Sequence, residues 1–323
     1  MKNLTIRDFD KKIDSSSIDS FLLSRKESHN HNYYDSPEWF KWKFLDSPNG
    51  TAIMPTAFDD KKIVGANYYG IYPLLKNGLE ISAILPYEAF VHQSAQGKGL
   101  FKNLIKLAEQ TAQDEKVHIM MSFPNKKSIQ GFKSSGWTYI PNSVTYWLKP
   151  VISFKVIKNI LDLKKAFQPN KSTESNNFQF GEPKHNLYKD QIHGLWSKEY
   201  LNWRFNILPQ AEYIHLQNKS FEIVARIGSR GKLKEAQIIY LDCKTVDFNR
   251  KPFKKLIKQL TKVTSSDLIS FPMSSHYPIY EKMKSLGFYK LPSGTQFCYK
   301  VLDDKNLSEE LKFSLCGLDF HTY

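Results

Sequence analysis

The chain has 323 residues, with 46 Lys plus Arg against 32 Asp plus Glu, a net charge of +14, 41% hydrophobic and 24% charged residues. That length suits two domains, and the balance excludes a disordered chain. Three scattered cysteines (Cys243, Cys298, Cys316) with no CxxC pair argue against a disulfide framework and against a structural zinc site, and no apolar run approaches a membrane helix.

The opening stretch MKNLTIRDFDKKID has no apolar core, so a soluble, cytoplasmic protein without a membrane partner is expected. Residues 36–48 read SPEWFKWKFLDSP, with aromatic spacing suited to a helix. Short strands are predicted at Thr56–Phe58, Ile63–Tyr69 and Leu79–Leu85, and a further one at Leu85–His92. The loop Gln93–Gly99 leads into a helix over Gly99–Ala112, whose apolar residues Leu100, Phe101, Leu104, Ile105, Leu107 and Ala108 recur at helical spacing. Val117–Phe123 reads as a buried strand, and Ser128–Ser135 as a short helix closed by Gly136. Tyr146–Leu148 ends the first unit. Phe154–Phe167 predicts a linking helix, with apolar Phe154, Val156, Ile157, Ile160, Leu161, Leu163 and Phe167, and the polar stretch Gln168–Asn186 a boundary loop.

The second half then repeats the first. SKEYLNWRFNILP at 197–209 matches SPEWFKWKFLDSP, pairing Trp42 with Trp203, Lys43 with Arg204 and Pro48 with Pro209. FKKLIK at 253–258 matches FKNLIK at 101–106, ISFPM at 269–273 matches MSFPN at 121–125, and SLGF at 285–288 matches SSGW at 134–137. Four matches in one order indicate two copies of one fold. Strands are expected at Phe221–Ile227 and Glu235–Leu241, and a tail after about Lys305 needs cover for Leu311, Phe313, Leu315 and Phe320. The expected domains are 1–150, a linker at 151–186, and 187–323.

The sharpest chemical signal is Gln93-Ser94-Ala95-Gln96-Gly97-Lys98-Gly99 between a strand and a helix. Two glycines let backbone approach a ligand, and a helix N-terminus favours a pyrophosphate. An ordinary turn is the alternative. The loop is neither a P-loop nor a dinucleotide fingerprint. VHQSAQGKGLF, its helix and strand, and then Pro124-Asn125…Ser128…Phe132…Gly136-Trp137 resemble the GNAT acyltransferase superfamily. The resemblance implies an α+β fold with two GNAT-like mixed central sheets flanked by helices. It implies coenzyme A bound by Phe90, Val91, Gln96, Gly97, Lys98, Gly99, Leu100, Phe101, Asn125, Ser128 and Phe132, without metal. The backbone of Phe90-Val91-His92 is implied to hold the pantetheine arm. Phe101 stands where the family has a small residue, and Phe132 where many members have a tyrosine. The matching stretch of the second copy, 241–252, has no glycine, so one live site and one degenerate copy are expected.

Tandem GNAT chains of this kind resemble sugar N-acyltransferases acting on nucleotide-linked amino sugars, such as a dTDP-amino-dideoxyhexose, in surface polysaccharide and lipopolysaccharide synthesis. The implied reaction is direct attack of the sugar amine on acyl-CoA in a ternary complex, by a monomer or weak homo-oligomer that binds no nucleic acid. Thiol-sugar acetyltransferases, aminoacyl-tRNA-dependent transferases and a non-catalytic CoA-binding protein are the alternatives. Candidate bases are Glu88, whose other reading is a charge partner for lysine, and His92. Tyr68, Tyr69, Arg204, His276 and Tyr277 are candidates for the acceptor. Tyr68 and Tyr69 are strand neighbours, so at most one faces a cleft.

Overall fold

The computed structural model describes residues 4–29, 36–151, 153–172, 174–188, 190–207, 211–245, 247–291, 295–303 and 311–320. Pro209 of the first repeat match and the start of the tail near Lys305 lie outside them.

The first half supplies β1 (Leu4–Asp8), α1 (Ile18–His29), α2 (Pro37–Phe44), β2 (Pro55–Asp59) and β3 (Lys62–Ile71). The short strands β4 (Leu74–Lys76) and β5 (Leu79–Ile81) follow, then β6 (Ala83–Val91), α3 (Leu100–Asp114), β7 (Ile119–Ser122), α4 (Ile129–Ser134), β8 (Thr138–Ile140) and β9 (Val144–Pro150). The second half supplies α5 (Phe154–Lys158), β10 (Gln168–Pro169), β11 (His193–Gly194), α6 (Lys198–Asn202) and β12 (Tyr213–Gln217). It continues with β13 (Phe221–Arg230), β14 (Leu233–Cys243), α7 (Arg250–Thr264), β15 (Leu268–Ser274), β16 (Tyr289–Leu291), β17 (Phe297–Val301) and α8 (Gly317–Phe320). The strands expected at 79–85 and 85–92 are therefore redistributed into β5 and the long β6.

Two compact units result, each built on its own mixed sheet. The first unit has the order β1-β2-β3-β6-β7-β17-β8. Its sheet is covered on both faces, and neighbouring Tyr68 and Tyr69 on β3 show how. Tyr68 stacks on Phe21 of α1 at 5.1 Å and meets Phe44 of α2 edge-on at 5.1 Å. Tyr69 points the other way, into a cluster with Ile105, Ala108 and Ala112 of α3. The second unit has the order β10-β13-β14-β15-β9-β16, with β12 beside β13. The helix α7, 15 residues like α3, buries Phe253, Leu256, Ile257 and Leu260.

The repeat extends to fine detail. Ser36 caps α2 by accepting from Trp39 N–H at 3.2 Å, and Ser197 caps α6 by accepting from Tyr200 N–H at 3.1 Å. Gly136 and Gly287 both adopt left-handed φ, 77° and 85°, after the matching SSGW and SLGF helices. One expectation fails. Tyr146–Leu148 does not close the first sheet, because β9 pairs antiparallel with β15 and β16 of the second. In exchange β17 pairs with β7 and β8 of the first. Each copy's last strand thus completes the other copy's sheet.

The expected linking helix over 154–167 is also shorter than predicted. It consists of α5 and a 3-10 turn, Ile160–Lys164, and of its apolar residues Val156 is buried. The tail does find cover, since Phe313, Leu315 and Leu318 are buried.

Candidate functional site

Both copies contain the same structural opening. In the first unit, parallel pairing of β6 with β7 holds only at Ala83↔Ile119 and Ile84↔Met120, so from Leu85 to Val91 the strand runs free of β7. Its pairing with β3 shifts register between Tyr68↔Glu88 and Tyr69↔Pro86, leaving Tyr87 as a bulge residue. Pro86, which has no N–H to give the ladder, suits that irregularity. Gly70 makes room for it, since a Cβ there would lie 2.0 Å from the Tyr87 ring.

Beyond the bulge the ladder orients the backbone. His92 N–H donates to Val64 O at 2.9 Å, so His92, and by strand alternation Phe90 and Glu88, turn their peptide groups toward β3. Val91 and Ala89 turn theirs away, toward the divergence from β7. Of the Phe90-Val91-His92 backbone expected to hold pantetheine, only Val91 therefore faces the opening. Ala89, which the sequence reading passed over, faces it too. The Phe90 side chain is buried against Phe21 at 5.4 Å.

The loop beyond β6 is pinned at its ends and open in its middle. Ala95 and Leu100 are buried in a cluster with Ala57, Val64 and Leu104, while 96–99 are exposed. Gly97 and Gly99 have φ of 76° and 71°, and a Cβ at either would meet nothing within 4 Å. These are conformations that favour glycine, with clear space in front. Gly99 is the N-cap of α3 and supplies no side-chain cap, so the first N–H groups of a 15-residue helix have no side-chain acceptor from that residue. Gln96 Nε2 donates to Val91 O at 3.0 Å, tying the loop to β6. Lys98 adds a positive charge on the exposed side. Charge, backbone donors and space therefore fit a pyrophosphate here. Phe101, in place of a small residue, is accommodated by Gly131 of α4, where a Cβ would sit 2.7 Å from its ring.

The second copy has the same opening filled from within. Pairing of β14 with β15 is confined to Glu235–Gln237 against Leu268–Ser270, and the β13–β14 register shift leaves Ile239 as the bulge residue. Into this divergence runs the chain's own tail. Cys316 bridges Met273 antiparallel, Ser274 N–H donates to Leu315 O at 2.9 Å, and the Cys316 thiol donates to Ile239 O at 3.3 Å. Gly317 lies so close that a Cβ would fall 2.8 Å from the Ile239 Cα. The space that is open in the first copy is occupied by protein in the second.

The remaining candidates take these places. Glu88 is a nearly buried carboxylate accepting from Arg25 Nε at 2.7 Å, with Lys43 Nζ at 3.8 Å, and the Arg25 guanidinium lies over the Trp39 ring at 4.5 Å. Its reading as a charge partner is thus realised, with arginine as the nearer partner. Lys43 is buried in the same cluster. The His92 ring accepts Ser94 N–H at Nδ1 (3.3 Å), which leaves Nε2 to donate to Glu27 Oε2 at 2.8 Å. Asn125 and Ser128 are engaged with each other and with the start of α4, the Asn125 Oδ1 accepting from Lys127 and Ser128 N–H. Phe132 is core, edge-on to Trp137 at 4.7 Å and to Phe101 at 5.7 Å.

Tyr68 and Tyr69 are fully buried and line no surface opening. Tyr68 accepts from Thr56 and Tyr69 from Asn67 at 2.7 Å, and burial raises both phenols well above their ordinary range. In the second unit, Arg204 is buried in a π-helical turn (Trp203–Ile207), His276 is exposed, and Tyr277 is buried with its hydroxyl 3.3 Å from that of Tyr188. Among the described residues no cluster of three or more His, Cys, Asp or Glu side chains is arranged to hold a metal.

Comparisons with known proteins agree with this architecture. Residues 17–137 match the Acetyltransferase (GNAT) family. No curated protein sequence matches the chain. Among solved structures, a conserved protein of unknown function from Enterococcus faecalis V583 is similar with a TM-score of 0.63 at 10% identity, over 94% of this chain and 73% of that one. A GCN5-related N-acetyltransferase from Kribbella flavida gives 0.60 at 12%, over 93% and 71%. The N-myristoyltransferase of Saccharomyces cerevisiae, solved with bound myristoyl-CoA, gives 0.52 at 12%, over 99% and 89%. The chain thus has the GNAT fold in tandem, with residues 17–137 matching the GNAT acetyltransferase family.

Proposed function

We propose that the chain is an acyl-CoA-dependent N-acyltransferase with one donor site, in the first copy, and that its acceptor is the amino group of a nucleotide-linked amino sugar. The observation that carries the donor site is the open Gly97-Lys98-Gly99 cradle at the α3 N-terminus beside the β6–β7 divergence. Gln96 to Phe101 receive the pyrophosphate, and the Ala89 and Val91 peptide groups receive the pantetheine arm and the thioester carbonyl. The sugar amine attacks that carbonyl, the C–S bond breaks, and CoA leaves as the thiolate.

The cysteines favour this direct route over an acyl-enzyme. Cys243, Cys298 and Cys316 are all buried, and burial pushes Cys298 up to about 12 and Cys316 well above its usual range, which disfavours a nucleophilic thiolate. For the amine's proton His92 is the preferred base: its Nε2 bond to Glu27 Oε2 at 2.8 Å fixes the tautomer in which Nδ1 is the basic nitrogen, and Nδ1 takes the proton in exchange for its contact with Ser94 N–H. Glu88 instead orders the wall built by Arg25, Lys43 and Trp39. The nucleotide is supported by the surplus of 14 positive charges, which favours a diphosphate over a polyamine. The test is to incubate the chain with a panel of acyl-CoAs and compare free amino sugars with their nucleotide diphosphate forms by mass spectrometry. Equal turnover of the free sugars removes the nucleotide from this reading, and no turnover of any amine removes the transferase.

A further inference from the structure

The segment after β9 keeps its apolar residues outside. Phe154, Ile157, Ile160 and Leu161 are 81%, 63%, 60% and 75% exposed. Four of the eleven large hydrophobic side chains exposed among the described residues thus fall within eight consecutive positions. The segment is also anchored. Val156 is buried with Leu148, Leu233 and Leu268, and Leu163 packs against that cluster. Asp162, turned inward, accepts Lys232 N–H at 2.7 Å and pairs with Lys165 at 2.6 Å. A Cβ on Gly231, whose φ is 60°, would clash with the Asp162 carboxylate at 2.4 Å, so glycine admits the anchor. A helix of five residues has no stability of its own, so these contacts are what hold its apolar side chains outward.

Lysines surround the patch. Lys155, Lys158, Lys164 and Lys165 lie in the segment, and Lys232 and Lys234 are exposed at the adjoining β13–β14 turn. The opposing carboxylates are Asp162 and Asp267, and the latter is engaged by Lys155 and by Lys234 N–H at 2.9 Å. From this we infer that the face is a docking surface for an anionic lipid bilayer, with Phe154, Ile157, Ile160 and Leu161 entering the headgroup boundary while the lysines meet lipid phosphates. Four such side chains present roughly 400–600 Å² of apolar surface, short of the ~800 Å² per partner in a stable protein interface. The combination of apolar tips and a lysine rim is that of an interfacial segment. This inference does not depend on the acyl-transfer reading.

The experiment is co-sedimentation of the full chain with phosphatidylcholine vesicles, with and without one-third phosphatidylglycerol. The expected result is binding to the anionic vesicles alone, weakening as salt rises. A Phe154→Ser/Leu161→Ser variant should partition at least ~10-fold less with an unchanged melting temperature, because neither side chain is packed. Lys158→Glu/Lys164→Glu should abolish the preference for anionic vesicles. Failure of the wild-type chain to sediment at low salt overturns the inference, as does equal binding by the serine variant. Self-association in ultracentrifugation that the serine variant relieves, without vesicle binding, also overturns it, and makes the face a protein interface.

Discussion

Replacing Gly99 by valine separates two effects that usually coincide. The added Cβ has open space, with nothing within 4 Å outside its chain neighbours. The cost to the free protein is the left-handed backbone at φ 71°, about 1–2 kcal/mol for a residue with a Cβ. Gly78, in the β4–β5 turn, supplies a matched control, with φ 77° and nothing within 4 Å. Valine at Gly78 and at Gly99 should therefore lower the melting temperature to a similar degree. Only at Gly99 does the side chain stand before the α3 N-terminus. There it displaces a phosphate from at least one charge-assisted hydrogen bond, worth ~1.5–3 kcal/mol, or roughly 10- to 150-fold in Kd. Calorimetric titration with CoA on both variants measures this directly. Equal CoA affinities for the two variants would refute the assignment of the cradle.

Other consequences are open to measurement. Arg25→Ala removes the nearer cation from the buried Glu88 carboxylate, leaving Lys43 at 3.8 Å, and should cost about 3–5 kcal/mol in chemical denaturation; a loss below about 1 kcal/mol means the cluster is solvated. Glu88→Gln should retain kcat, whereas His92→Gln should lower it by roughly 10²–10⁴ with CoA affinity kept; the opposite pattern returns the base to Glu88. Gly70→Ala drives a methyl into the Tyr87 ring and should cost about 1–3 kcal/mol, relieved when Tyr87 is also shortened to leucine, as a double-mutant cycle would show. His193 is held down to about 4, chiefly by burial and then by His185, so the unfolded chain binds the extra proton. Stability should therefore fall as pH drops from about 6.5 toward 4, by up to roughly 3 kcal/mol from this group. A His193→Asn variant whose urea midpoint varies with pH as steeply as wild type would contradict that.

How far the sequence reveals the fold differs from element to element. The repeat is legible because its landmarks are local: a serine cap with its aromatic helix, an amphipathic helix, and a glycine in left-handed conformation. The exchange of β9 and β17 is not, because the strands they join, β7 and β15, come from matching sequences and offer similar edges to an alternating strand. The glycine cradle is visible as spacing, and Pro86 marks the bulge in β6. The pairing of Glu88 with Arg25 spans 63 residues and leaves no local trace. Tyr68 and Tyr69 show the same limit: alternation says they diverge, but only tertiary packing buries both. The apolar spacing of 154–167 predicts a packed face, yet a five-residue helix followed by a tighter turn presents most of it to solvent.

On this proposal the chain has one donor site, in the first copy, and the second copy's counterpart is closed by the tail. Hydrogen exchange with and without CoA tests it most directly. Added protection is expected in residues 89–103 and none in 239–253 or in the tail. Protection in the second region, or exchange of the tail accelerated by CoA as it is displaced from β14 and β15, would contradict it.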